Sequence, residues 1–243
     1  MLQILSDTVR SSIRAARRRD IESFIRYYYF PKGLRRKIAD RLGVEDGPAI
    51  ERVLLGLREY FTICLDRRDM VLGMPSKAVD AAWHEFILYT RDYTDFCQKA
   101  LGEYLHHTPD DAMSLGDDFL SDAGRRWMDV ARTWNISCIA SGQNPRRPTE
   151  VPLLFSLDAE LGIAGGEAFT LEDLAALPIP HNFIETSPGR YRYIARKNRQ
   201  KQESAYAGGA GCGGGCGGSG GHHGQAGCSS GGSGCSSGCG GGG

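Results

Sequence analysis

The sequence predicts a mainly α fold: a bundle of about five helices, a small irregular C-terminal segment and a disordered Gly/Cys-rich tail. Three observations carry this expectation. Apolar residues recur at helical spacing through roughly the first 140 residues. Pro31, Gly33, Gly43 and the Gly73-Met74-Pro75 run fall between those periodic segments as breakers. Of 33 glycines, 20 crowd into residues 207–243, a stretch too poor in apolar area to offset the entropy of ordering it.

The first helix is expected over 2–30, with Leu2, Leu5, Val9, Ile13, Ala16, Ile21, Phe24, Ile25 and Tyr28 at helical spacing and arginines between them. A short helix over 34–42 closes at Gly43. Pro48 opens a third, with Ile50, Val53, Leu54, Leu57, Tyr60, Phe61 and Cys64 on one side. Ser76, directly after Pro75, is a good N-cap for a fourth over 77–101, with Gly102 as its stop. Its core stripe reads Val79, Trp83, Phe86, Thr90, Tyr93, Cys97 and Leu101. A fifth over 119–140 carries Phe119, Leu120, Trp127, Val130, Ala131 and Trp134. Beyond it, Thr170 can cap a short helix, Pro178, Pro180 and Pro188 forbid regular structure, and 191–195 alternates weakly, as a short strand or an arm. The domain organisation expected is 1–142 as the helical domain, 143–206 as a linker and small irregular segment packing on it, and 207–243 as tail.

Composition excludes a collagen, a wholly disordered chain and a membrane-spanning protein, since no run reaches about 18 apolar residues. No apolar secretion run is visible near the N-terminus. Cysteines number eight, three in the body (Cys64, Cys97, Cys138) and five in the tail, which does not read as a disulfide framework. The expectation is a cytoplasmic protein with reduced thiols. Net charge is zero but uneven: residues 1–45 carry +6 and 188–203 carry +5, against an acidic middle. A basic end can dock a partner protein, the acidic middle of its own fold, or nucleic acid, and no membrane partner is expected. The overall balance argues against strong non-specific nucleic-acid binding.

The fourth helix holds the candidate chemistry. At about 100° per residue, His84 falls about 40° from Asp80, on the shoulder of the apolar stripe. His106 and His107 follow the helix, with Asp110 and Asp111 behind them. If the chain turns back after Gly102, one of these histidines can approach Asp80 and His84. A carboxylate and an imidazole on successive turns, completed by another imidazole, suit a divalent metal such as zinc with a coordination position left open. They also suit acid/base catalysis. The structural alternative is equally direct: Asp80 accepts a hydrogen bond from His84 at the helix start, and the later histidines cap the helix end. Cys97 lies inside the core stripe and reads as a buried thiol.

Asp80-x-x-Trp83-His84, then Tyr93, Gly102 and His106, together with the glycine-rich C-terminus, resemble the glycine-rich domain-containing protein-like family, which has plant and bacterial members. The likeness covers 34–109 and the tail composition, about half of the chain. The plant pattern has a second histidine two residues after the first; Phe86 stands there in this chain. The resemblance implies a helical domain focused on Asp80, His84 and His106, and supplies no reaction. It also implies links to development and stress responses, and suggested RNA binding, in plant members.

In the tail, each of Cys212, Cys216, Cys228, Cys235 and Cys239 directly follows a glycine, and His222 and His223 stand among them. These residues could hold a soft metal loosely. The Gly-Cys steps are also similar to azole-forming microcin core peptides, where a cysteine is cyclised onto a small preceding residue. A flexible linker is the third reading. No phosphate loop, dinucleotide fingerprint, His-Glu-x-x-His or Gly-x-Ser-x-Gly motif occurs. The functional expectation is therefore a helical binding or interaction protein with an Asp-His site. A metal-dependent enzyme or metal-binding protein using Asp80, His84 and His106 is the alternative, and a tail modified by heterocycle formation the third.

Overall fold

The computed structural model describes residues 2–66, 70–107 and 122–193. Within them the fold is mainly helical: α1 (Leu2–Arg26), α2 (Leu34–Leu42), α3 (Pro48–Cys64), α4 (Lys77–Ile87), α5 (Thr90–Ala100), α6 (Asp122–Ser141), α7 (Leu153–Leu161) and α8 (Leu171–Ala176). An antiparallel pair, β1 (Phe183–Ser187) and β2 (Arg190–Tyr193), follows, with Phe183 opposite Tyr193. Among the described residues no helix is long and apolar enough to cross a membrane.

Helix α3 forms the centre, because its apolar residues leave only a narrow polar strip. It packs against α1, α2, α4, α6 and α7. Around Phe61 and Phe86 a ring cluster gathers Tyr28, Phe30, Tyr93 and Phe96 from α5 and the α1–α2 connection. Several boundaries fall where the sequence puts them. Gly43 ends α2 in the left-handed conformation, Pro48 opens α3, Ser76 caps α4, and Thr170 with Asp173 makes a capping box for α8. Cys64, Cys97 and Cys138 are buried thiols, and burial pushes the Cys138 thiol up to about 12.

Four expectations change. The helix expected over 77–101 is two helices, broken at Leu88 and Tyr89. There the Tyr89 ring turns onto α2, close to Gly33 and beneath the Lys37 ammonium. Val9 and Ile13 of α1, expected on its apolar face, do not pack on the core: they are 57% and 62% exposed. A helix of 25 residues spans about 37 Å, and α1 meets α3 and α5 through its C-terminal half, where Ile21, Phe24 and Ile25 lie on the core. Trp127 is exposed at one end of the α6 stripe, edge-on to Phe169, whereas Trp134 is fully buried. Finally, the part of 143–206 expected to be irregular contains α7, whose Leu154, Phe155 and Leu157 are core residues against α3. Phe119 and Leu120, Asp110 and Asp111, and the whole Gly/Cys tail lie outside the described residues.

Candidate metal centre

The site begins at the first turn of α4. Ser76 accepts from the Val79 amide (3.2 Å) as N-cap, and its hydroxyl donates to Asp158 of α7 (2.6 Å). Asp158 is 2% exposed and also accepts from the backbone amides of Lys77 (2.7 Å) and Ala78 (3.1 Å). The amide of Glu167 adds a fourth donor at 3.2 Å. A carboxylate there satisfies amides that have no intrahelical partner and meets the positive end of the helix dipole. This anchorage fixes the direction of α4 and so of Asp80, whose own amide donates to the Ser76 carbonyl (2.9 Å).

The third side chain arrives through Tyr93. After the break, α5 folds back so that the Tyr93 hydroxyl accepts from the Trp83 indole (2.9 Å) and donates to the Leu105 carbonyl (2.6 Å). One straight helix would hold positions ten apart about 15 Å from each other along its axis, so this bond requires the break. Gly102 in a left-handed turn then reverses the chain. Side chains of the extended 104–107 segment alternate between two sides. Tyr104 packs edge-on to Tyr93 and His106 lies over Tyr104 in an exposed position, while Leu105 and His107 turn inward.

The structure therefore brings together Asp80, His84 and His107, and leaves His106 out. His107 Nε2 lies 2.8 Å from Asp80 Oδ1. His84 Nδ1 lies 3.1 Å from Asp80 Oδ2 and 2.9 Å from the Asp80 carbonyl oxygen. Both neighbours of His84 Nδ1 are acceptors, so that nitrogen carries hydrogen here. The two imidazoles pack with ring centroids 4.1 Å apart, and His107 also packs on Trp83 at 4.4 Å. His107 is 11% exposed, whereas Asp80 and His84 are each about one-third exposed. One donor atom from each of the three lies within 4.8 Å of the others.

Asp80 and His107 line a cavity of about 330 Å³. Its far wall comes from α6 and includes Arg126 and Asp129. Gly73 allows α6 to approach: a Cβ there would stand 2.6 Å from the Val130 backbone nitrogen. The Gly73 carbonyl accepts from Thr133 Oγ1 at 2.7 Å. Burial raises the Asp129 carboxyl to about 6, against the opposing pull of Arg132, which donates to it.

Asp158, Tyr93 and Asp129 are functional neighbours that the sequence alone does not assign. Asp158 carries a usable signal, a single acid beside the apolar run Leu153-Leu154-Phe155-Ser156-Leu157. Tyr93 reads from sequence as a stripe residue and as part of the resemblance spacing, with no role of its own, and Asp129 has no local signature.

A family model described as UCP032817-like matches residues 20–179, about two thirds of the chain. No curated protein and no solved structure matches the chain significantly.

Proposed function

The chain belongs to the UCP032817-like family, and for this member we propose a helical metal-binding domain in which Asp80, His84 and His107 hold a divalent transition metal. The observation that carries the reading is the convergence of three donor atoms of the right chemistry from two separate segments. One carboxylate oxygen and two imidazole nitrogens suit zinc at about 2.0–2.2 Å. Tetrahedral ligands at that radius lie about 3.3 Å from one another, close to the 2.8 Å and 3.1 Å separations from Asp80 to the two imidazoles. Small side-chain rotations make up the difference. Metal would clamp the 104–107 segment onto α4, which fits a binding or interaction module.

The likeness to the glycine-rich domain-containing protein-like family is part of this proposal. It rests on the spacing of Asp80, Trp83, His84, Tyr93, Gly102 and His106 and on the glycine-rich C-terminus. A second reading, a metal-dependent enzyme, is favoured by the cavity: Asp80 and His107 border it, three protein ligands leave a position for water, and Asp129 stands in the same cavity. For the tail, soft-metal binding and modification at Cys212, Cys216, Cys228, Cys235 and Cys239 are further proposals; intact mass from the native host tests the second.

Metal content of untagged full-length protein tests the main reading. Near one equivalent is expected in wild type and in His106→Ala, and a small fraction of that in His84→Ala and His107→Ala. Cobalt(II) substitution separates this site from tail thiolates, because an Asp/His/His set gives no thiolate-to-cobalt charge-transfer band. Metal content that is equal in wild type and His107→Ala, or a thiolate spectrum at one equivalent, overturns the proposal.

A further inference from the structure

The exposed half of α1 is unlike the rest of the body. The family match begins at residue 20, and the packing of α1 on the core begins at Ile21. The preceding turns are helical, with Val9 and Ile13 exposed, while Arg14 and Arg17 border a hollow against Cys64, Leu65 and Leu101. Between residues 8 and 19 arginines recur and there is no acid. At about 100° per residue, Val9, Ile13 and Ala16 fall within about 60° of one another. Arg10 and Arg17 flank that face on one side and Arg19 on the other. The sequence continues the apolar register back to Leu5 and Leu2. Among the described residues, Arg10, Arg14, Arg17 and Arg19 make no hydrogen bond or ion pair, whereas Arg18 on the opposite face is held by Asp66 (2.8 Å) and Glu22 (2.6 Å).

We propose that the N-terminal half of α1 is a basic amphipathic helix that lies on an anionic lipid surface, with Val9 and Ile13 entering the acyl boundary and the flanking arginines meeting lipid phosphates. This is attachment in the plane of the interface, a different thing from the membrane span that the composition excludes. The two features select the same occupant. Phosphate-rich RNA would use the arginines and leave the apolar stripe in water, whereas an anionic bilayer covers both. Arg18 and Asp66 tie the following turn of α1 to the end of α3, so the helix would hold the metal-bearing body at a fixed angle to the surface. The inference is independent of whether Asp80, His84 and His107 bind metal.

Co-sedimentation of the full chain with vesicles tests it. Binding is expected to mixed phosphatidylcholine–phosphatidylglycerol vesicles and not to pure phosphatidylcholine, and to weaken with salt. Arg10→Ala/Arg17→Ala should lose about fivefold per arginine. Val9→Asp/Ile13→Asp should abolish binding, with an unchanged thermal midpoint because both positions are exposed. Arg36→Ala, on the exposed face of α2, should bind as wild type. Absence of lipid-dependent sedimentation overturns the proposal. So does loss in the arginine variant with full binding in the Val9→Asp/Ile13→Asp variant, the pattern of RNA or an acidic protein.

Discussion

Replacing Asp158 by alanine tests whether α7 holds the candidate metal centre in place. The carboxylate takes four donors: the Ser76 hydroxyl at 2.6 Å and the amides of Lys77, Ala78 and Glu167 at 2.7, 3.1 and 3.2 Å. Alanine leaves the buried Ser76 hydroxyl and Ala78 amide without this acceptor, each costing about 1–3 kcal/mol. It also removes a charge from the N-terminus of α4, worth up to about 2 kcal/mol when partly buried. These contributions overlap, because Ser76 can turn its hydroxyl toward other groups and water can enter the space. A net loss of about 4 kcal/mol is the expected result. Asparagine at this position would keep one acceptor oxygen and present an amide to the remaining donors, so Asp158→Asn should cost about 2 kcal/mol. Urea unfolding followed by fluorescence of the buried Trp83 and Trp134 measures both. Glu160→Ala on the same helix breaks an exposed pair with Arg52 and an exposed hydrogen bond from Ser156, and should stay within about 0.5 kcal/mol of wild type. Zinc affinity should fall with Asp158→Ala, since Asp80 sits on the turn that Asp158 anchors, and remain unchanged in Glu160→Ala. A loss below about 1 kcal/mol for Asp158→Ala would refute the anchoring argument.

Tyr93→Phe removes the acceptor of the Trp83 indole and the donor to Leu105 O, so it should cost about 2–3 kcal/mol and weaken zinc binding several-fold through a looser His107. A variant with unchanged metal affinity would mean that packing of His107 on Trp83 suffices. Asp129 predicts a pH dependence of opposite sign to that of an ordinary salt-bridged acid. Its carboxyl is raised from 3.8 to about 6, so between those values the folded protein binds more protons than the unfolded chain, and stability declines as pH rises through the window. Relative to Asp129→Asn, wild type should lose about 2 kcal/mol between about pH 4 and pH 7. Denaturant titrations across that range check it, and a constant difference would remove the buried-acid interpretation.

Most helix boundaries are legible in the sequence because they depend on local chemistry. Pro48, Ser76, Thr170 and the left-handed Gly43 each act on backbone groups within a turn of themselves. The break at Leu88–Tyr89 is not legible, since neither residue is a breaker and the apolar stripe continues across it at helical spacing. What splits the helix is tertiary: the seat of Tyr89 on α2 and the bond from Trp83 to Tyr93. Helix α7 is hidden differently. Its run Leu153-Leu154-Phe155-Ser156-Leu157 is short and apolar, which periodicity alone cannot assign.

The choice between His106 and His107 follows from the same break. Asp80 and His84 can be paired from sequence because their spacing belongs to one helix. An imidazole beyond Gly102 depends on where the returning strand starts its alternation, and that phase is set by the Tyr93 hydroxyl on the Leu105 carbonyl. With Leu105 drawn inward, position 107 shares its side and position 106 faces out. Moving that anchor by one residue would exchange the two histidines while leaving the helices untouched. The identity of the third member of the cluster is thus carried by the buried hydrogen bond from the Tyr93 hydroxyl to the Leu105 carbonyl, with Trp83 holding that hydroxyl in place. Trp83 and Tyr93 act as positioning residues for the candidate centre, although neither belongs to the Asp80, His84 and His107 cluster.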